Sequence, residues 1–180
     1  MSEEYSNSMI KEAIKYGAIF AVVSFIIQLV LYAIDYTLLV ATFYQILSLL
    51  VIMIALVMVG IKFRKQQGGF LSFGSAYGFL MMVTVSFFLI GIVFSLLFYN
   101  VIDPELPELL QEIQIERTIE TLESFNASDE QIDQAVSEAE GQNLNNISVL
   151  LQGTLILSLI FAVINLVLAL IVKKSRPDFE

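Results

Sequence analysis

Six glutamates, Glu105, Glu108, Glu112, Glu116, Glu120 and Glu123, recur at spacings of three and four residues. At about 100° per helical residue they fall within an arc of roughly 120°. On a helix they form one acidic stripe. Like charges at i,i+4 cost about 0.2–0.5 kcal/mol per pair, so the stripe weakens its own helix unless solvent, a cation or a basic partner faces it. A solvated face that holds the segment away from anionic headgroups is the plainer reading, and a docking surface for a partner the sharper one. Specific calcium binding is not expected, since no D-x-[DN]-x-[DN]-G loop occurs and a helical stripe does not converge oxygens on one ion.

Other chemistry has few carriers. The chain has no histidine and no cysteine, which removes the commonest general base, the commonest transition-metal ligand and the thiol nucleophile. We expect no catalytic residues, no cofactor and no metal site. Within the apolar stretches the notable polar side chains are Gln28, Gln45, Gln152 and Asn165, beside Ser24, Ser48, Thr84, Ser86, Ser95 and Ser158. Interhelical hydrogen bonds of about 0.6–2 kcal/mol explain most such residues. A polar transport path is the alternative for Gln28, Gln152 and Asn165. No charged residue lies near the centre of a span, which argues against a proton relay or ion pump.

The elements that must position these residues are four apolar stretches, roughly 13–34, 38–63, 76–99 and 147–172. Each can cross a hydrocarbon core of about 30 Å at about 1.5 Å per helical residue. With 57% hydrophobic and 15% charged residues, the chain needs lipid as solvent. Eight of the nine Lys and Arg (Lys11, Lys15, Lys62, Arg64, Lys65, Lys173, Lys174 and Arg176) flank the same ends of these stretches, and only Arg117 does not. The positive-inside rule then puts both termini and the second connection in the cytoplasm. Twelve of the eighteen Asp and Glu fall between the third and fourth stretches. The net charge of −9 gives no reason to expect nucleic acid as a partner. The first stretch reads as a retained helix rather than a cleaved signal, because it is long and no small-x-small site follows it.

The fold expected is all-α: a four-transmembrane-helix bundle with an extracytoplasmic helical hairpin inserted between helices 3 and 4. Residues 1–102 hold three spans, 103–146 the acidic hairpin, and 147–180 the fourth span and a cytoplasmic tail. The short Asp35–Thr37 turn makes the first two spans antiparallel neighbours, and Asp35 reads as a structural cap. Gly68-Gly69 is the expected cytoplasmic hinge or helix break. Asp103-Pro104 and Pro107 mark a change of structure before a helix over about 107–125. Ser128 with Gln131 has the capping-box spacing for a second helix over about 129–140, stopping at Gly141. Asn143, Asn145 and Asn146 then make a polar return. Along the first of these helices the apolar face switches, from Leu106, Leu109, Leu110 and Ile113 to Ile115, Ile119, Leu122 and Phe125. The first half should rest on the membrane rim or the end of the third span, and the second on Ile132, Ala135, Val136 and Ala139. Small residues at spacing four, Gly17/Ala21, Gly74/Gly78 and Gly91/Ser95, suit close packing inside the bundle.

Three stretches carry a family resemblance: Gly68-Gly69-Phe70-Leu71-Ser72-Phe73-Gly74-Ser75-Ala76, Ile102-Asp103-Pro104-Glu105, and Ser128-Asp129-Glu130-Gln131-Ile132-Asp133-Gln134-Ala135. In this order, over nearly the whole chain, they resemble a bacterial family catalogued as domain of unknown function 4199. The chain departs from it in having Leu106 where an aromatic is expected after Asp-Pro-Glu. The resemblance implies the four-span fold and a bacterial cytoplasmic (inner) membrane location, and it carries over no reaction and no catalytic residue. The expected function is therefore that of an uncharacterised multi-pass membrane protein, non-enzymatic, in contact with lipid and with an envelope protein or a second copy of itself through the acidic hairpin. A small transporter or channel is the alternative.

Overall fold

The computed structural model describes residues 3–140 and 146–175. Among them are six α-helices: α1 Glu3–Ile34, α2 Thr42–Gln66, α3 Phe73–Leu97, α4 Leu106–Ser124, α5 Asp129–Glu140 and α6 Ile147–Val172. Four of these regions are long and apolar enough to cross a membrane: Ser6–Ile34, Thr42–Gln66, Phe73–Ile102 and Ile147–Val172. The stop at Gly141, the return through Asn143 and Asn145, and Arg176 lie outside the described residues.

The boundaries differ from expectation where side chains override apolarity. The first helix begins at Glu3, well before residue 13, because Met9, Ala13 and Tyr16 make one buried stripe at helical spacing while Lys11 and Lys15 are exposed. The expected turn at 35–37 is longer, a 3-10 helix over Tyr36–Val40. Asp35 is its cap: the carboxylate accepts from the Thr37 N–H at 2.9 Å, and the Leu38 N–H donates to the Asp35 carbonyl at 3.1 Å. That bonding diverts Leu38, Leu39 and Val40, which composition alone assigns to the second span. At the same end of the bundle α3 does not stop cleanly. It widens into a π turn over Phe98–Ile102, closed by the Asp103 N–H on the Phe98 carbonyl at 3.0 Å.

The centre of the bundle is α3, which packs on α1, α6 and, less extensively, α2. The short turn does not make α1 and α2 close neighbours, for α1 lies along α3 and meets α2 only marginally. Gly17 is the reason. A Cβ there would stand 2.6 Å from Ser86 Cβ and 2.8 Å from the Val83 carbonyl oxygen, so the backbones approach as only glycine allows. Gly74, Gly78 and Gly91 have no such neighbour, so no close backbone approach occurs at the expected G-x-x-x-G of 74–78.

Two apolar cores result. One fills the end that carries the basic residues and includes Leu56, Phe63, Phe79, Leu80, Val83 and Leu168, with Phe63 and Phe79 stacked at 4.1 Å. The other joins Val40, Phe98, Leu106 and Leu110 at the opposite end. Between them α2 and α6 separate. On α2 the first buried residue is Leu56, and on α6 it is Phe161, so about half of each helix holds no fully buried residue. The bundle is closed at its basic end and splayed at the end where α4 lies.

Candidate functional site

The acidic stripe sits on a firmly held helix. Asp103 begins α4 as a cap, its Oδ1 accepting from the Glu105 and Leu106 N–H groups at 3.1 Å each. Its Oδ2 accepts from the Tyr32 hydroxyl of α1 at 2.8 Å, which ties the start of α4 to the first span. One turn on, Leu106 and Leu110 are buried against Phe98 and Val40. Further along, the Arg117 guanidinium donates through Nη1 to the Val40 carbonyl, which also accepts from Gln45 Nε2 at 3.4 Å. Leu106, the departure from the aromatic expected there, is among the most enclosed residues of the chain.

The face switch along α4 has the expected basis in its first half, where Leu106, Leu110 and Ile113 meet the second core. In the second half Ile115, Ile119 and Leu122 are half-buried, as are Ile132, Ala135, Val136 and Ala139 of α5. Gln111 Nε2 donates across to the Ala139 carbonyl at 2.7 Å. Phe125 departs from the pattern and is 79% exposed, because α4 ends just before it in a left-handed turn at Asn126. The capping box forms as its spacing predicts: Gln131 N–H donates to Ser128 Oγ at 3.4 Å and Ser128 N–H to Gln131 Oε1 at 3.0 Å.

With α4 held this way, Glu105, Glu108, Glu112, Glu116, Glu120 and Glu123 are all exposed. Among the described residues none of them forms an ion pair; the pair present is Lys15 with Glu12, at 3.5 Å near the start of α1. No group of three or more His, Cys, Asp or Glu side chains converges as metal ligands among these residues.

The polar residues of the four long apolar helices go to separate places. Asn165 is sealed in the basic-end core, where its Nδ2 donates to Thr84 Oγ1 at 3.0 Å and its Oδ1 has no partner among the described residues. Gln152 is exposed on α6. Gln28 and Ser95 line a crevice of about 360 Å³ between α1, α3 and α6. They also line a smaller one of about 160 Å³ beneath α4, shared with Gln45 and Gln114. Gly68 and Gly69 end α2 with φ of 80° and 86°, and the Gly69 N–H closes on the Arg64 carbonyl at 3.0 Å. The chain on either side is anchored. Arg64 Nη1 donates to the Val172 carbonyl at 2.8 Å, and Leu71 and Lys174 exchange backbone hydrogen bonds of 2.9 Å.

The Tyr32–Asp103 and Arg117–Val40 contacts could not be found from spacing. Asp-Pro-Glu does carry a cap signal, and Arg117 stands out as the lone cation in an acidic segment, but their partners lie 71 and 77 residues away.

A family model described as a protein of unknown function, DUF4199, matches residues 15–174. No curated protein and no solved structure matches the chain.

Proposed function

The chain belongs to the DUF4199 family, and we propose that it is a non-enzymatic multi-pass protein of the bacterial inner membrane that docks an envelope partner through the acidic face of α4. In this reading both termini are cytoplasmic, and α4 and α5 form an extracytoplasmic hairpin inserted between the third and fourth spans. The distribution of Lys and Arg supports the orientation. The observation that carries the docking reading is the combination of a seated helix with an unpaired charge row. Asp103, Leu106, Leu110 and Arg117 fix α4 on the bundle, and six glutamates stay exposed on it. A face held rigidly loses little conformational entropy when a basic surface meets it.

Deleting the whole loop is a poor test, because it also removes two residues of the second core. A better variant changes Glu108, Glu112, Glu116 and Glu120 to Gln, all on the surface. Cells of the native host are crosslinked with a carboxyl-to-amine reagent, the protein is purified in mild detergent, and joined peptides are identified by mass spectrometry. A stoichiometric partner joined through these glutamates, and lost in the four-Gln variant, is the expected result. Recovery of the chain alone, or only with itself, would overturn the envelope-partner reading.

A small transporter or channel is the second reading, favoured by Gln28 at the crevice between α1, α3 and α6. Asn165 supports it less, since its amide is spent on Thr84 in a closed core.

A further inference from the structure

We propose that the splayed side of the bundle is a site for one anionic lipid, with an acyl chain in the crevice between α1, α3 and α6 and the headgroup at Arg117 beneath α4. Three neighbouring cavities that share wall residues make this site. The deep crevice, about 360 Å³ with Phe87, Phe88, Ile92 and Leu157 among its walls, shares Gln28 and Ser95 with the small polar cavity under α4. That cavity shares Val40, Gln45 and Gln114 with an outer one of about 440 Å³ that reaches Arg117, Thr118 and Thr121. The path thus runs from aromatic and aliphatic walls, through amides and hydroxyls, to a guanidinium. That is the polarity order of a lipid from chain to headgroup.

Two observations point to a ligand rather than to bare hydrocarbon. The side-chain amide of Gln28, half-buried within a helix apolar enough to cross a membrane, makes no hydrogen bond among the described residues, and an unsatisfied amide is costly where no water can reach it. Arg117 is the one Lys or Arg away from the basic end, yet among the described residues it pairs with no glutamate and its guanidinium donates through Nη1 alone, to Val40. A guanidinium has five N–H donors. Those remaining suit the paired oxygens of a phosphodiester, which a planar fork binds bidentately. A zwitterionic lipid offers the same phosphate but adds a cation, and no Asp or Glu lines any of the three cavities, so the committed occupant is anionic. The crevice has walls from α1, α3 and α6 but none from α2, and the half of α6 that lines it holds no fully buried residue, which gives a bilayer lipid lateral access.

The full chain is reconstituted in vesicles that contain either a phosphatidylglycerol or a phosphatidylcholine probe with a diazirine on the acyl chain, and labelled peptides are mapped after illumination. The phosphatidylglycerol probe should label the walls of the crevice several-fold more than the phosphatidylcholine probe. Gly91→Leu should abolish that excess, because a Cβ at Gly91 meets nothing within 4 Å and the side chain can occupy the crevice. Gly153→Leu, equally open on the facing helix, should do the same and guards against misfolding of either variant. Arg117→Gln should lower phosphatidylglycerol labelling to the phosphatidylcholine level and leave phosphatidylcholine labelling unchanged. Equal labelling by the two probes in the unmodified protein would overturn the headgroup assignment. Labelling that survives both leucine variants would mean annular lipid only and overturn the site. Since neither probe involves the glutamate face, failure of this proposal is distinguishable from failure of partner docking.

Discussion

At the scale of single residues, the packing of the bundle turns on what glycine permits. A methyl at Gly17 would press on backbone atoms as well as on Ser86: the Phe87 nitrogen is 2.9 Å from its Cβ position, the Val83 oxygen 2.8 Å. Gly17→Ala should therefore destabilise the protein by about 1–3 kcal/mol through overpacking. Gly78→Ala meets no atom within 4 Å and should be neutral or stabilising by up to about 1 kcal/mol, from helix propensity alone. Thermal unfolding in one detergent compares the two, and equal melting temperatures would contradict the close α1–α3 crossing. The small-xxx-small spacing identified Gly17 and Gly74 alike. Spacing does not say which face of a helix meets another, and that is why it misassigned the second.

Asp35 adds a titratable contact at this scale. The Thr37 backbone N–H, followed by the Thr37 side chain, holds its carboxyl below the ordinary carboxylate range. A depressed carboxylate contributes stability that is present above its unfolded pKa of about 3.9 and is lost as pH falls through the folded value. The advantage of the unmodified protein over Asp35→Ala should accordingly be full at pH 7 and narrow on acidification below about pH 4. A constant difference between the two unfolding curves from pH 7 to pH 3 would contradict the cap.

At the scale of elements, α4 is held by contacts that join distant parts of the chain. Asp103→Ala removes a cap worth about 0.5–2 kcal/mol together with the Tyr32 bond, whereas Tyr32→Phe removes only a hydrogen bond worth about 1 kcal/mol. Both should speed limited proteolysis within residues 106–124, Asp103→Ala more, with the spans left intact. Unchanged cleavage in both variants would show that α4 is seated by its leucines alone. The bounds of α4 and the start of α5 were legible to within a residue because local signals set them, the two prolines at one end and the Ser128–Gln131 box at the next. The start of α1 was not. A polar segment with one buried stripe, Met9, Ala13 and Tyr16, looks like a soluble tail until the surface it packs on is known.

At the scale of the whole molecule, hydropathy identified four spans and said nothing of how they lean. A leucine facing lipid and one facing α3 are the same residue type, and lipid tails are as apolar as the core. The apolar outer half of α6 therefore gave no sign that it packs on little protein, whereas Phe161, Leu168 and Val172 near its other end are buried. The splay, and with it the crevice between α1, α3 and α6, belongs to tertiary packing alone. The exposed glutamates were legible as a stripe, because helical periodicity sets the arc, but their rigid seat depends on Tyr32 and Val40, far off in sequence.

Everything proposed for the glutamate face requires that face to stand outside the cytoplasm, and the chain lends itself to the test because it has no cysteine. Glu116→Cys on α4 and Gln66→Cys at the basic end, both at exposed positions, are each treated with a membrane-impermeant maleimide in intact spheroplasts. Cysteine at 116 should label at once and cysteine at 66 only after permeabilisation. The reverse pattern would place the acidic helices in the cytoplasm and contradict the account.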